Sequence, residues 1–277
     1  MTNDSKAIAC ACVAVLSWST VATAFKMALR YLTHFEMLWV ASLTSLVIFA
    51  VLLTAQRKWR LLGNLTGKQW LYYAGLGLLN PVAYYLVLFK AYDLLPAQVA
   101  QPINYAWPIV LLILLALFAG QPIHKKKYIG MFVSLAGVAL ISIGTGFNGE
   151  MNVSTEGFLL AALSAVLWAT YWMLNNRNKV QTDGSVVLFL TFLFGSVYLS
   201  VGALFCGLNL SSLTGVLSGM YVGGFEMGIP FIFFYCCPIK ILRSYKIRAD
   251  FICEVSPFSL DFSRQTIKSN HGQKYTF

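Results

Sequence analysis

Glu226 is the one carboxylate lying well inside a long apolar stretch of this 277-residue chain. An ionised carboxylate alone in apolar surroundings is costly, so Glu226 must be protonated, paired or reached by water. Such a group suits proton carriage or the holding of an amine, with a neutral structural hydrogen bond as the plain alternative. Gly228 and Pro230 flank it. A second apolar segment carries Asn80-Pro81 near its centre. Proline removes a backbone donor and clashes with the preceding turn, freeing carbonyls in mid-segment; a kink that only aids packing is the other reading. A third segment holds Gln98, Gln101, Pro102, Asn104, Tyr105, Trp107 and Pro108. On helical spacing Gln98, Gln101 and Tyr105 share one face, a polar stripe in an apolar segment. Tyr84 and Tyr171 offer rings and hydroxyls, and Trp18 and Trp168 offer large aromatic surfaces; ordinary packing is open for all four. The candidate binding residues are therefore Trp18, Asn80, Tyr84, Gln101, Tyr105, Trp168, Tyr171 and Glu226.

Catalysis finds little footing in the sequence. His34, His124 and His271 lie in connections or the tail without metal-ligand spacing. There is no phosphate-binding glycine loop, nucleophile elbow or intramembrane Asp pair. No enzyme activity, cofactor or metal is expected.

The elements that must position these groups follow from composition. The chain is 58% hydrophobic and only 11% charged, where soluble domains average about 25% charged. Apolar segments fall at about 7–29, 36–55, 69–89, 97–119, 128–146, 156–175, 186–207 and 215–236. Each approaches the ~20 residues needed to cross a bilayer as a helix, and the runs are continuous rather than alternating, which disfavours strands. The fold class is an all-α polytopic membrane protein with about eight transmembrane helices. A signal peptide reading of the N-terminus, with Ala22-Thr23-Ala24 as a cleavage site, is set aside because the apolar run is long and further spans follow. The six cysteines show no C-x-x-C pairing, and most sit in or beside apolar segments as small hydrophobes.

The formal net charge is +10. Its basic residues cluster between spans, which points to membrane orientation and not to nucleic acid. Lys6, Arg57, Lys58, Arg60, Lys68, Lys125, Lys126, Lys127, Arg177 and Lys179 fall on one side, against Arg30 and Lys90 on the other. The positive-inside rule then puts both termini in the cytoplasm.

Displacement by 150 positions lays Trp18 on Trp168 and Thr20 on Thr170; displacement by 146 lays Asn80 on Glu226. Five helices separate the copies, so the second is inverted, a construction common in secondary transporters. The segments "VLSWSTVATAFK", "YLVLFKAYDLLPAQVAQPINYAWPIVLLILLALFAGQPI", "LLAALSAVLWATYW" and "GGFEMGIPF" occur in the order and spacing of a known family. With them the chain resembles the EamA-like transporters of the drug/metabolite transporter superfamily over roughly residues 5 to 235. The resemblance implies two five-helix repeats, ten helices, cytoplasmic termini, and movement of small metabolites such as amino acids. Members often carry Gly-Glu after the fourth helix, where this chain has Gly120-Gln121.

On this reading residues 5–147 are the first repeat, 155–237 the first three helices of the second, and 238–277 a basic tail. Where a ninth helix would fall, at 243–265, stand Arg243, Lys246, Arg248, Asp250, Glu254, Asp261 and Arg264. Each charge costs about 2.5–3.5 kcal/mol at a helix centre, which excludes a span. The expectation is a tail arising from a frameshift or truncation, and a transporter open to impairment by loss of its last two helices. The expected function is a secondary transporter, in the exporting direction, in the plasma (inner) membrane. The expected partners are the lipid bilayer and a small-molecule substrate coupled to protons, with a homodimer left open. An integral membrane protein without transport activity, an accessory protein or membrane enzyme, is the alternative. Helices three and eight are expected to bend at Asn80-Pro81 and Glu226-Pro230 and to face one cavity with helices one, four and six.

Overall fold

The computed structural model describes residues 23–118, 154–177 and 182–236, with separate positions between 13 and 21 and between 129 and 140. Among the described residues it is helical throughout, without strands. In chain order these are α1 (helical at its described positions between 13 and 28), α2 (His34–Ala55), α3 (Gly67–Leu94) and α4 (Ala97–Phe118). They are followed by α5 (helical at its described positions between 129 and 140), α6 (Thr155–Arg177), α7 (Gly184–Cys206) and α8 (Leu213–Phe233, continuing to Cys236). Among the described residues α2, α3, α4, α6, α7 and α8 are long and apolar enough to cross a bilayer. The fold is that of an all-helical polytopic membrane protein. Gln121, His124, His271 and the whole tail reading over 238–277 lie outside the described residues.

Local chemistry sets where the helices begin. Four backbone N–H groups are orphaned at every helix start, and Ser, Thr, Asp or Asn side chains can satisfy them. Thr33 and Glu36 form a reciprocal capping box on α2, and Thr66 and Gln69 form another on α3. Asp183 caps α7 through the Ser185 N–H, and Ser212 caps α8 through the Gly215 N–H. The caps obey the displacements seen in the sequence: Thr33 and Asp183 are 150 apart, Thr66 and Ser212 are 146 apart. α3 runs five residues past the end its hydropathy suggests, to Leu94. Its last polar turn is tied by Lys90 to Asp93 at 3.2 Å, and it stops because Leu95, preceding Pro96, is driven to extended backbone.

Two helices are interrupted at matching places. α3 holds a π segment over Leu78–Ala83, and α8 holds one over Gly223–Gly228. In α3 the cause is Pro81: the residue before a proline avoids helical backbone, and Asn80 adopts φ −139°, ψ 119°, kinking the helix. The Asn80-Pro81 peptide is cis. α4 breaks at Tyr105 and Ala106, where Pro108 has no N–H to offer the Asn104 carbonyl.

α2 packs along α7, the first part of α3 lies on α7, and the π segment of α8 lies on α2. The second part of α3 and all of α4 pack on α6. The two glycine contacts are equivalent. A Cβ on Gly77 would stand 2.7 Å from the Thr191 carbonyl oxygen and 2.9 Å from Phe194 Cβ. A Cβ on Gly223 would collide with the Ala41 carbonyl oxygen and stand 2.8 Å from Thr44 Cβ. Gly77 and Gly223 are 146 apart; Ala41 and Thr191, like Thr44 and Phe194, are 150 apart.

The ends of the helices are also tied across the fold. Glu36 accepts from the Asn209 N–H at 2.6 Å, and Lys26 donates to the Tyr92 carbonyl. These bonds set the α1–α2, α3–α4 and α7–α8 turns on one face. On the other, Lys58 pairs with Asp183 at 2.7 Å and Ser185 Oγ donates to Gln56 Oε1 at 2.8 Å. That parity is what successive membrane crossings require.

Two expected outcomes follow. Gly77→Ala and Gly223→Ala should each lower stability in detergent by about 1–3 kcal/mol, the usual cost of overpacking. Gly75→Ala meets nothing within 4 Å and should be neutral or stabilise by up to about 1 kcal/mol. Thermal denaturation followed by tryptophan emission separates the three, and equal behaviour would remove the close-approach account. At Asp183, partial burial works to raise the pKa, but the Lys58 and Ser185 hydrogen bonds outweigh it and hold the carboxyl below its usual range. A depressed pKa contributes stability above the unfolded-state value, near 3.8, and loses it as pH falls through the folded value. Asp183→Asn keeps a capping side chain, so it should cost at most about 1 kcal/mol at pH 7, the range of a half-exposed pair. That difference from wild type should begin to shrink as pH falls below ~4, the ordinary carboxylate range, and vanish only below the depressed folded-state value. A gap that does not shrink at all as pH falls would mean that the cap, and not the ion pair, supplies it.

Candidate functional site

The centre of the site is Trp168, on α6 and 7% exposed. Tyr84 of α3 stacks on it at 4.5 Å between ring centroids, and Tyr171, a turn further along α6, stacks at 5.5 Å. Trp107 of α4, Trp172 of α6 and Phe231 of α8 meet it edge-on at 6.4, 5.8 and 5.6 Å. Tyr85 adds an edge contact at 6.4 Å. Four helices thus place rings against one indole, in the stacked and edge-on arrangements that aromatic quadrupoles favour.

Beneath the rings runs a buried polar chain. The Tyr84 hydroxyl donates to Asn104 Oδ1 at 3.3 Å, Asn104 Nδ2 donates to Ser164 Oγ at 2.9 Å, and Ser164 Oγ donates to the Ala161 carbonyl at 2.7 Å. Asn104 is 5% and Ser164 0% exposed. The chain fixes the rotamer of Tyr84 and ties α3, α4 and α6 together.

Glu226 meets this cluster from α8. The Tyr85 hydroxyl donates to Glu226 Oε1 at 3.4 Å, and Trp18 Nε1 of α1 donates to the Glu226 carbonyl at 3.4 Å. The phenols of Tyr84, Tyr92 and Tyr105 lie within electrostatic reach of the carboxylate. Among the described residues no Lys or Arg pairs with it; the ion pairs formed are Lys58–Asp183 and Lys90–Asp93. On the far side of α1, the Thr20 and Tyr221 hydroxyls are 2.8 Å apart, a second tie to α8.

The residues nominated from sequence therefore fall into three groups. Trp18, Tyr84, Trp168, Tyr171 and Glu226 are joined by these contacts. Gln101 and Tyr105 do share a helix face, with Gln101 Nε2 donating to the Tyr105 hydroxyl at 3.1 Å, but Tyr105 is 51% exposed and stands at the margin. Gln98, the third residue of that stripe, is exposed. Asn80 is fully buried, and neither its amide oxygen nor its nitrogen has a hydrogen-bond partner. None of the cluster's hydrogen bonds or ring contacts reaches it.

Tyr85, Ser164, Trp107, Trp172 and Phe231 join the cluster without having been nominated. The pair Tyr84-Tyr85 was a signal that two adjacent rings would face neighbouring partners. Ser164 carried no signal, because a serine in an apolar helix ordinarily bonds its own backbone.

The comparisons with known proteins bear on this arrangement. The model of the EamA-like transporter family matches residues 5–143. A protein of Bacillus subtilis (strain 168) named Uncharacterized transporter YvbV is 34% identical over 134 residues, which cover 48% of this chain and 42% of that one. A protein of Ancylobacter novellus named Aromatic amino acid exporter YddG is 29% identical over 102 residues, 36% of each chain. The protein of the same name from Salmonella typhimurium is 35% identical over 94 residues, 32% of each chain. The matched parts thus span less than half the length of these relatives. A solved structure described as a crystal structure of protein superposes with a TM-score of 0.59 at 19% identity, covering 92% of this chain and 90% of the other, a likeness of fold. The family and these relatives are all named as transporters. With half of its residues matched by the family model, this multi-pass membrane chain belongs to the EamA-like transporter family.

Proposed function

We propose that the protein acts in the secondary transport of small amine-bearing metabolites, the class that includes amino acids, in the exporting direction and across the plasma membrane. The observation that carries this reading is Glu226: a carboxylate in mid-helix, without a basic partner among the described residues, set in a π segment against rings from α1 and α3. Ionisable groups inside a span are costly and mark substrate or proton pathways. π segments concentrate at functional positions. One carboxylate can hold a proton or a substrate ammonium but not both, which couples export of the amine to entry of the proton.

Around this group the candidate residues take distinct parts. Tyr84, Trp168 and Tyr171 form the aromatic wall, and Trp18 holds the backbone of Glu226. Gln101 and Tyr105 stand at the entrance, and Asn80 offers an amide donor and acceptor to a polar substituent. Two relatives are named for export of aromatic amino acids, and a wall of rings suits an aromatic side chain by stacking. Residues 5–147 and 155–237 are read as two inverted repeats, whose rocking about the site would alternate its access. The equivalent glycine contacts and helix caps support that reading. The Lys and Arg bias supports cytoplasmic placement of the N-terminus.

Reconstitution of the full chain in liposomes tests the proposal. An imposed proton gradient should drive efflux of labelled amine substrates, and Glu226→Gln should flatten the dependence of that flux on pH. Flux that keeps the wild-type profile in Glu226→Gln would leave the residue a structural role. Absence of flux for every amine and amino acid tried would favour a membrane protein without transport activity.

A further inference from the structure

Resting on that reading of the site, we propose that its preferred substrates are organic monocations, arylalkylamines with an ammonium and no carboxylate, in preference to zwitterionic amino acids. The inference comes from what surrounds Glu226. A zwitterion brings a carboxylate within a few ångströms of its ammonium, and that carboxylate must find a donor or a positive charge when it leaves water. Glu226 is met by the Tyr85 phenol and the Trp18 indole, with the phenols of Tyr84, Tyr92 and Tyr105 within electrostatic reach and Trp168 behind Tyr85.

Aromatic faces carry negative quadrupole potential and attract cations. They do nothing for a carboxylate. The side-chain donors that touch Glu226 or extend from Tyr84 are already engaged, and the Asn80 amide, which has no partner, lies outside the cluster's contacts. Tyr84 donates to Asn104, Asn104 to Ser164, and Tyr85 to Glu226 itself. The Trp18 N–H is committed to the Glu226 carbonyl.

The nearest basic side chain on α1 is Lys26, two turns beyond Trp18. It is held at the end of α3, donating to the Tyr92 carbonyl and interacting with Asp93. The site thus presents one carboxylate that can ionise against an ammonium, a ring-lined wall and no fixed positive charge among the described residues. By electrostatics it selects net charge +1 over net charge 0, and both over net charge −1.

Four ligands with one ring system decide the matter: tryptamine, tryptophan, indole and indole-3-propionate. Their binding to the full chain, purified in detergent at pH 8, is measured by scintillation proximity or calorimetry. Tryptamine should bind at least about tenfold tighter than tryptophan, the scale of one hydrogen bond to a charged group. Indole should be weaker still and indole-3-propionate weakest. Glu226→Gln should bring tryptamine and indole to within about threefold, while Gly75→Ala, whose added Cβ meets nothing within 4 Å and which lies outside the site, should leave the order intact. Tryptophan binding as tightly as tryptamine would overturn the proposal, most directly if Lys26→Gln then weakened tryptophan alone. Failure of all four to bind would overturn it as well. Tryptamine binding without any proton-driven flux in liposomes would instead sustain the ligand class and defeat the transport reading.

Discussion

Between helices in a bilayer the hydrophobic effect has little to give, because lipid tails are as apolar as leucine. Association then depends on close backbone approach and on polar contacts across the interface. This fold rests on that constraint at two equivalent places, Gly77 against α7 and Gly223 against α2. Hydroxyls on α2 reinforce its contacts with both α8 and α7. Ser45 Oγ donates to the Gly223 carbonyl at 2.7 Å, and the Ser42 and Ser196 hydroxyls lie 2.9 Å apart. Each such bond contributes only about 0.6 kcal/mol on average in membrane proteins, so the approach itself, and the dispersion contacts it permits, matter more.

The candidate site inherits its geometry from these seams. Gly77 immediately precedes the π segment of α3, and Gly223 opens that of α8. Anchoring the helix there fixes where the irregular turn falls, and hence which side chains it turns inward. Carbonyls in a π segment are met by side-chain donors: Ser45 on Gly223, Trp18 on Glu226. The tryptophans 150 positions apart have related duties. Each stands in the first helix of its proposed repeat and meets the interrupted helix of the other, Trp168 through rings on α3 and Trp18 through a hydrogen bond on α8.

Much of this was legible in the sequence because its signals are strong and local. Span-length apolar runs located α2, α4, α6, α7 and α8 within about two residues, since little else explains twenty apolar residues in a row. The exception, the extra turn of α3, shows the limit: Lys90 and Asp93 look like a loop by hydropathy, yet form an ion pair along a continuing helix. The gathering of Trp18, Tyr84, Trp168, Tyr171 and Glu226 could be anticipated from polar and aromatic groups at corresponding depths. The facing of Gln101 could not, because a helix turns 100° per residue and the break at Tyr105 resets the phase. Ser164 was invisible for a different reason: only the third dimension brings Asn104 to it.

The two proposed repeats answer the same structural problem with different residues, and the difference bears on the proposed function. At the interrupted turn one carries Asn80, a neutral amide beside a proline wedge, and the other carries Glu226, an ionisable group beside glycine. Among the described residues, the carboxylate set well inside a span thus has an amide, and not a second carboxylate, at its corresponding position. The rings are distributed unequally too: Tyr84 stacks on Trp168 and Tyr85 meets both edge-on, whereas their counterparts displaced by 146 and 150 positions are Pro230, Phe231 and Trp18. A ligand with a charged end and a flat end would meet a surface that is itself polar in both senses, charge on α8 and stacking on α3 and α6. Orientation of the ligand would then follow from the asymmetry of the side chains, and not from the backbone contacts, which are equivalent at Gly77 and Gly223.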